Sequence, residues 1–231
     1  MEGTEIRKLA ALEDTHWWYA ERRHLLRRAV RDLPLGRAVD IGAAGGGNTR
    51  VLRDLGWHAS PLEYGREGAE VARERGLPVL RADAVRLPLA DGALDLVVAF
   101  DVLEHLDDDA GCAGEIHRVL RPGGTALVAV PCDPRLWSAH DVAVDHRRRY
   151  TRGTLTALLD RAGLRIDRIG SWNVLLRPVA ALRRRSSTGS DLTELHPLVN
   201  AGLRSVVGAE RYLPVRGLPG VSLLVTARRP E

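Results

Sequence analysis

Apolar positions recur along this chain with two periods that take turns. In a helical region over residues 4–32, Leu25, Leu26, Ala29 and Val30 return at helical spacing, a stripe suited to docking on a sheet. R-A-V-D-I (37–41) is then a short apolar run that stops at Gly42, which predicts a strand. N-T-R-V-L-R-D-L, closed by Gly56, predicts a helix. Further strands are predicted at G-W-H-A-S-P-L-E (56–63), P-V-L-R-A-D-A (78–84) and the buried run L-D-L-V-V-A-F (94–100). A helix beginning at D-D-D (107–109) carries acids at its start and is stopped by Pro122-Gly123-Gly124, with Glu115 and His117 on its solvent face. T-A-L-V-A-V-P (125–131) is a fifth strand, T-L-T-A-L-L-D-R-A-G-L an amphipathic helix ended by Gly163, and L-R-I-D-R-I-G-S-W-N (164–173) an alternating sixth strand. Two helices then precede the last strand, V-S-L-L-V-T-A-R-R (221–229), and the S-S-T-G-S-D stretch between them (186–191) reads as a mobile loop.

Strands alternating with helices over 231 residues make a single α/β domain the natural count. Its expected parts are N-terminal helices (1–34), a binding core (35–173), a helical insertion (174–220) and a final strand (221–231). No apolar run approaches the ~18 residues of a membrane helix, and M-E-G-T-E-I-R-K lacks a signal-peptide core, so a cytoplasmic protein away from membranes is expected. Cys112 and Cys132 lack zinc-type spacing and fit a reducing compartment. The net charge of +4 comes almost wholly from arginine, Lys8 being the one lysine. Most arginines are interleaved with acids, and only R-R-R-S-S and H-R-R-R-Y are locally basic, so a nucleic-acid partner is not expected.

Chemistry is concentrated at the predicted strand ends. After Asp40 come Gly42, Gly45, Gly46 and Gly47, a turn that lets a ligand lie against bare amides at a helix N-terminus. Glu63 ends the second strand about 20 residues later, the distance at which a doubly wound sheet sets a carboxylate on ribose hydroxyls. Asp83 follows the third strand, and Asp101, Glu104 and His105 follow the fourth. A nicotinamide-dinucleotide fold is the rival for a glycine-rich turn, but its glycines follow G-x-G-x-x-G.

D-I-G-A-A-G-G-G-N, Glu63, R-A-D-A, F-D-V-L-E-H-L and L-R-P-G-G together resemble a class I S-adenosylmethionine-dependent methyltransferase over roughly residues 10 to 170. Ala44 departs from that family's usual D-x-G-x-G-x-G by holding the middle glycine position. The fold implied is a doubly wound, mostly parallel, seven-stranded Rossmann-like sheet with an N-terminal lid helix and a helical insertion before the last strand. The cofactor implied is S-adenosylmethionine. Its binding residues on this resemblance are Asp40, Gly42, Ala43 and Gly46 of the turn, Glu63 on the ribose, Tyr64, Asp83 and Ala84 around the adenine, and Phe100 and Asp101. H-W-W-Y-A-E-R is similar to a segment ahead of the first strand in relatives, which would put Trp18, Tyr19 and Arg22 at the methionine end. Read without the resemblance, Glu63 is a helix-cap partner, Asp83 caps a turn and Trp17 is a hydrophobic staple.

The acceptor side is less determined. His140, Asp141, Asp145 and His146 are concentrated in one loop, and the H-D-x-x-x-x-H-x-R-R-Y form is similar to that of a small-molecule methyltransferase subgroup from natural-product, sugar and surface-glycan biosynthesis. His105, His140 and His146 are the candidate catalytic residues, with a solvated polar hinge as the other reading. The spacing of Asp101, Glu104 and His105 puts them on one face, which with His146 suits a divalent metal. A metal-free pocket of the same residues is the preferred reading of the two. The function expected is methyl transfer to an oxygen or nitrogen of a small molecule. The alternatives are a donor-binding protein with a non-methylating role, such as a cyclase, and an RNA or DNA methyltransferase. The insertion is a substrate cover or the face of a homodimer.

Overall fold

The structure is a computed structural model and describes residues 7, 10–185 and 195–231. Five parallel strands are laid down first: β1 (Arg37–Ile41), β2 (His58–Glu63), β3 (Leu80–Arg81), β4 (Leu94–Phe100) and β5 (Leu120–Pro131). The sheet is completed by β6 (Arg165–Trp172) and β7 (Ser222–Arg228), with β7 running antiparallel to both β5 and β6. The order is β3-β2-β1-β4-β5-β7-β6. Because the chain winds outward in one direction from β1 and in the other from β4, a crevice opens at the carboxyl ends of those two strands. This is the doubly wound sheet that the sequence predicts.

Both faces of the central strands are covered, as their period-two patterns require. Ala38, Leu96, Val98 and Leu127 pack against Leu26 and Val30 of α1 (Trp17–Val30) and Val51 and Leu52 of α2 (Gly47–Asp54). Val39, Ile41, Val97 and Val128 face the opposite layer, in which Ile116 of α4 (Asp109–Val119) and Leu155 and Leu159 of α6 (Arg152–Arg161) are buried. Two further helices are α3 (Arg66–Glu74), which packs on β2 and β3, and the short α5 (Ala139–Ala143). The region before β7 contributes α7 (Arg177–Arg185) and α8 (Pro197–Ala209).

That last pair of helices is tied to the N-terminal helix. Asn200 of α8 accepts from the Trp17 amide at 2.8 Å and donates to the Thr15 carbonyl at 3.0 Å. Arg211 pairs with the buried Glu21 of α1. The insertion therefore fixes how α1 lies over the strand ends.

Three expectations are corrected. The fifth strand begins at Leu120 rather than at Thr125: α4 ends at Val119, and L-R-P-G-G is already part of β5. Its amides and carbonyls are used, with Gly123 N donating to Arg229 O and Arg229 N to Gly124 O, which is why the segment stays extended. The third strand shrinks to the two residues Leu80 and Arg81, while Asp83 lies just past it, as expected. Glu115 and His117 are half-buried rather than solvated, and Glu115 accepts from the Leu87 amide and from Arg118. The S-S-T-G-S-D stretch lies outside the described residues, and both cysteines are buried and unbridged.

Candidate active site

The turn after β1 is built from three residues with positive φ: Gly42 (64°), Ala44 (45°) and Gly46 (80°). Glycine suits Gly46 for its left-handed conformation, and a Cβ there would also displace the Leu77 side-chain tip. Ala44 holds the left-handed conformation despite its Cβ, at a cost on the order of 1–2 kcal/mol. Beneath the turn, Asp40 is fully buried and accepts from Thr49 N (3.0 Å) and Thr49 Oγ1 (2.9 Å), pinning the start of α2. Burial outweighs those bonds and pushes its carboxyl up to about 6. Glu63 fastens the turn from the other side, accepting from Ala44 N at 2.7 Å and Gly65 N at 2.9 Å.

A cavity of about 890 Å³ lies over this turn and the carboxyl ends of β1 and β4. Gly42 and Ala43 form its floor, and Trp18, Tyr19 and Arg22 of α1 form one wall. Trp18 is held by Trp172, the ring centroids lying 4.3 Å apart. Arg22 reaches Asp101 Oδ2 at 2.8 Å, donates to Phe100 O at 2.8 Å and lies 5.3 Å over the Phe100 ring, while its Nε is buried without a partner. Asp40, Gly46, Glu63, Tyr64, Asp83 and Ala84 do not line the cavity. Tyr64 is exposed, and Asp83 is exposed with its carboxylate accepting from Val85 N at 3.1 Å, the turn-capping geometry.

The opposite wall brings the three candidate histidines together. His146 Nδ1 lies 2.8 Å from Asp141 Oδ1, and its ring is 4.8 Å from that of His105 and 6.1 Å from that of His140. Asp141 is fully buried: Arg149 Nε donates to the same oxygen at 2.7 Å, and Ser138 N donates to the other at 2.9 Å. With Asp141 fixed in this way as an acceptor, Nδ1 of His146 is the nitrogen that donates to it, and Nε2 is turned towards Glu104. Glu104 is fully buried, and neither of its oxygens has a hydrogen-bond partner. Burial, and then the neighbouring Asp101 carboxylate, raises it well above the usual carboxylate range. The His105 ring is shifted downward by burial and by His146. Atoms of Glu104, His105 and His146 lie within 4.8 Å of one another, whereas Asp101, engaged by Arg22, stands apart from that group.

H-R-R-R-Y is a clamp. Arg147 N donates to Glu104 O, Arg148 to Leu106 O, Arg149 to Cys132 O and the Tyr150 hydroxyl to Asp109 at 2.7 Å. The Arg148 and Arg149 guanidiniums are thus spent on the protein's own carbonyls and carboxylates, whereas that of Arg147 is exposed beside Asp107 and Asp145. Sequence reasoning left Asp141, Arg149 and Asn173 out of the site. The H-D pair five residues before His146 was the available signal for Asp141, whereas Asn173 is announced by nothing except its place after the sixth strand.

A family profile described as a methyltransferase domain matches residues 39–128. A "Probable S-adenosylmethionine-dependent methyltransferase" of Mycolicibacterium smegmatis is 28% identical over 170 residues, a match covering 71% of this chain and 65% of that relative. The chain thus spans just under two thirds of that relative's length. Among solved structures, a "possible histamine N-methyltransferase" of Thermotoga maritima superposes with a TM-score of 0.65 at 20% identity, covering 98% of this chain and 95% of that one. A [4+2]-cyclase superposes with a TM-score of 0.62 at 22% identity, covering 92% and 82%. No helix among the described residues is long and apolar enough to cross a membrane. The sheet order and the glycine turn over the strand ends agree with these matches: residues 39–128 match a methyltransferase domain, and the chain is similar to S-adenosylmethionine-dependent methyltransferases in sequence and in fold.

Proposed function

We propose that this chain transfers the methyl group of S-adenosylmethionine to a hydroxyl or amine of a small-molecule acceptor, as in natural-product, sugar or surface-glycan biosynthesis. One observation carries the reading: His146, held from behind by Asp141, borders the same cavity as the glycine turn. On this reading the ribose hydroxyls exchange with the backbone amides now held by Glu63, and Asp83 and Tyr64 border the adenine. Trp18, Tyr19 and Arg22 enclose the methionine end. The acceptor lies towards His146, flanked by His105 and His140.

The sulfonium is already an activated donor, so alignment and exclusion of water supply most of the effect. As the methyl passes from sulfur to the acceptor oxygen or nitrogen, the acceptor loses a proton to His146 Nε2 and neutral S-adenosylhomocysteine leaves. Such a positioned base contributes about 10²–10⁴-fold. The inward commitment of Arg148 and Arg149 supports a small acceptor over a nucleic-acid track.

The test is release of S-adenosylhomocysteine across phenol, sugar-hydroxyl and amine acceptors, with His146→Ala alongside. Turnover is expected to fall by about 10²-fold or more while donor affinity stays within about twofold. Wild-type turnover in the variant would remove His146 from the reaction, and donor binding without any methyl transfer would favour the non-methylating alternative.

A further inference from the structure

We infer that Glu104, His105 and His146 form a binding site for one divalent transition-metal ion at the acceptor end of the cavity. Three independent features point there. Both Glu104 oxygens are buried and unpartnered, and a buried carboxylate in that state calls for a cation or a proton. Each histidine has one nitrogen occupied from behind: His146 Nδ1 by Asp141 at 2.8 Å and His105 Nδ1 by the Asp145 carbonyl at 3.3 Å. A carboxylate or carbonyl behind the ring is the arrangement that orients metal-binding imidazoles and leaves Nε2 free to coordinate.

The three ligand atoms lie within 4.8 Å, with His146 Nε2 already 3.9 Å from Glu104 Oε1. Bonds of about 2.0–2.2 Å set ligand atoms roughly 3–3.5 Å apart, so only a small contraction is needed. The frame that must contract is well defined. Glu104 and His105 are neighbours in the single 3₁₀ turn Leu103–His105, and Arg147 N donates to Glu104 O at 2.7 Å, tying the His146 loop to that turn.

Two imidazoles and one carboxylate suit manganese, iron(II), cobalt, nickel or zinc better than calcium or magnesium. Three protein ligands leave coordination positions open, so an acceptor oxygen has a place beside the donor. That use rests on the proposed function, whereas the site itself rests on geometry alone. With an ion held by Glu104, His105 and His146, His146 would act as a ligand, and the cation would supply Lewis acidity to an acceptor hydroxyl in place of the basicity of the metal-free imidazole.

The experiment is titration of the chelator-treated full chain with cobalt(II), followed by visible absorption and calorimetry, with S-adenosylhomocysteine binding measured on the same samples. One equivalent of cobalt with ligand-field bands is expected. Glu104→Gln and His146→Ala should each lower cobalt affinity at least tenfold, and the exposed His58→Ala should leave it unchanged. No stoichiometric uptake, or uptake indifferent to both cavity variants, would overturn the site and leave Glu104 a buried carboxylic acid. Loss of nucleoside binding with cobalt uptake intact would count against the proposed function alone.

Discussion

The donor half and the acceptor half of the cavity are built by different means. The donor half is backbone: positive-φ residues at Gly42, Ala44 and Gly46, held by Asp40 below and Glu63 at the side. The acceptor half is side chains: Asp141, Arg149, His146 and Glu104, drawn from segments more than 30 residues apart and buried together. A backbone site is rigid and constrains local sequence, so it is shared across a family. A site made of side-chain pairs can change one member at a time, which suits a surface that must fit different acceptors.

Breaking the acceptor half should have the largest effect. Arg149→Met removes the guanidinium from a pair whose side chains are both fully buried, leaving the Asp141 charge to Ser138 N and His146, and should cost about 3 kcal/mol in chemical denaturation. If donor affinity of the remaining folded protein falls as well, the two halves are not separable. Next comes Asp40 under the donor turn. Its carboxyl titrates near 6 when folded and near 3.8 when unfolded, so the native state holds the proton more tightly. Asp40 therefore makes stability decline by about 3 kcal/mol as pH rises from about 4 to about 6. Asp40→Asn should flatten that limb of a stability–pH profile, and an unaltered slope would mean that Asp40 titrates normally.

Smaller effects sharpen the boundary. Glu63→Ala should weaken S-adenosylmethionine binding by about 10–100-fold in calorimetry, the scale of hydrogen bonds to a charged group. Unchanged affinity would mean that the nucleoside lies elsewhere. Tyr64 is 72% exposed, so Tyr64→Ala should change donor affinity by only about 2–10-fold, the scale of one aromatic stack, with the melting temperature unmoved.

The same division decides what could be read from the chain. R-A-V-D-I followed by glycines is legible because a strand stopping at a tight turn makes demands on adjacent residues, and the insertion is legible from two helical periods before V-S-L-L-V. The role of Arg149 is not, since the Asp141 carboxylate and the Cys132 carbonyl that it holds are brought to it only by folding. L-R-P-G-G was misjudged for the same reason: its extended form depends on Arg229, more than 100 residues later.

The central claim is that a nucleoside bearing a positively charged sulfur lies across the carboxyl ends of β1 and β4. A crystal structure of the protein grown with S-adenosylhomocysteine tests it most directly. The prediction is density over Gly42 and Ala43, with the ribose on Glu63 and the sulfur turned towards His146. Density elsewhere, or an empty crevice at saturating ligand, would contradict it.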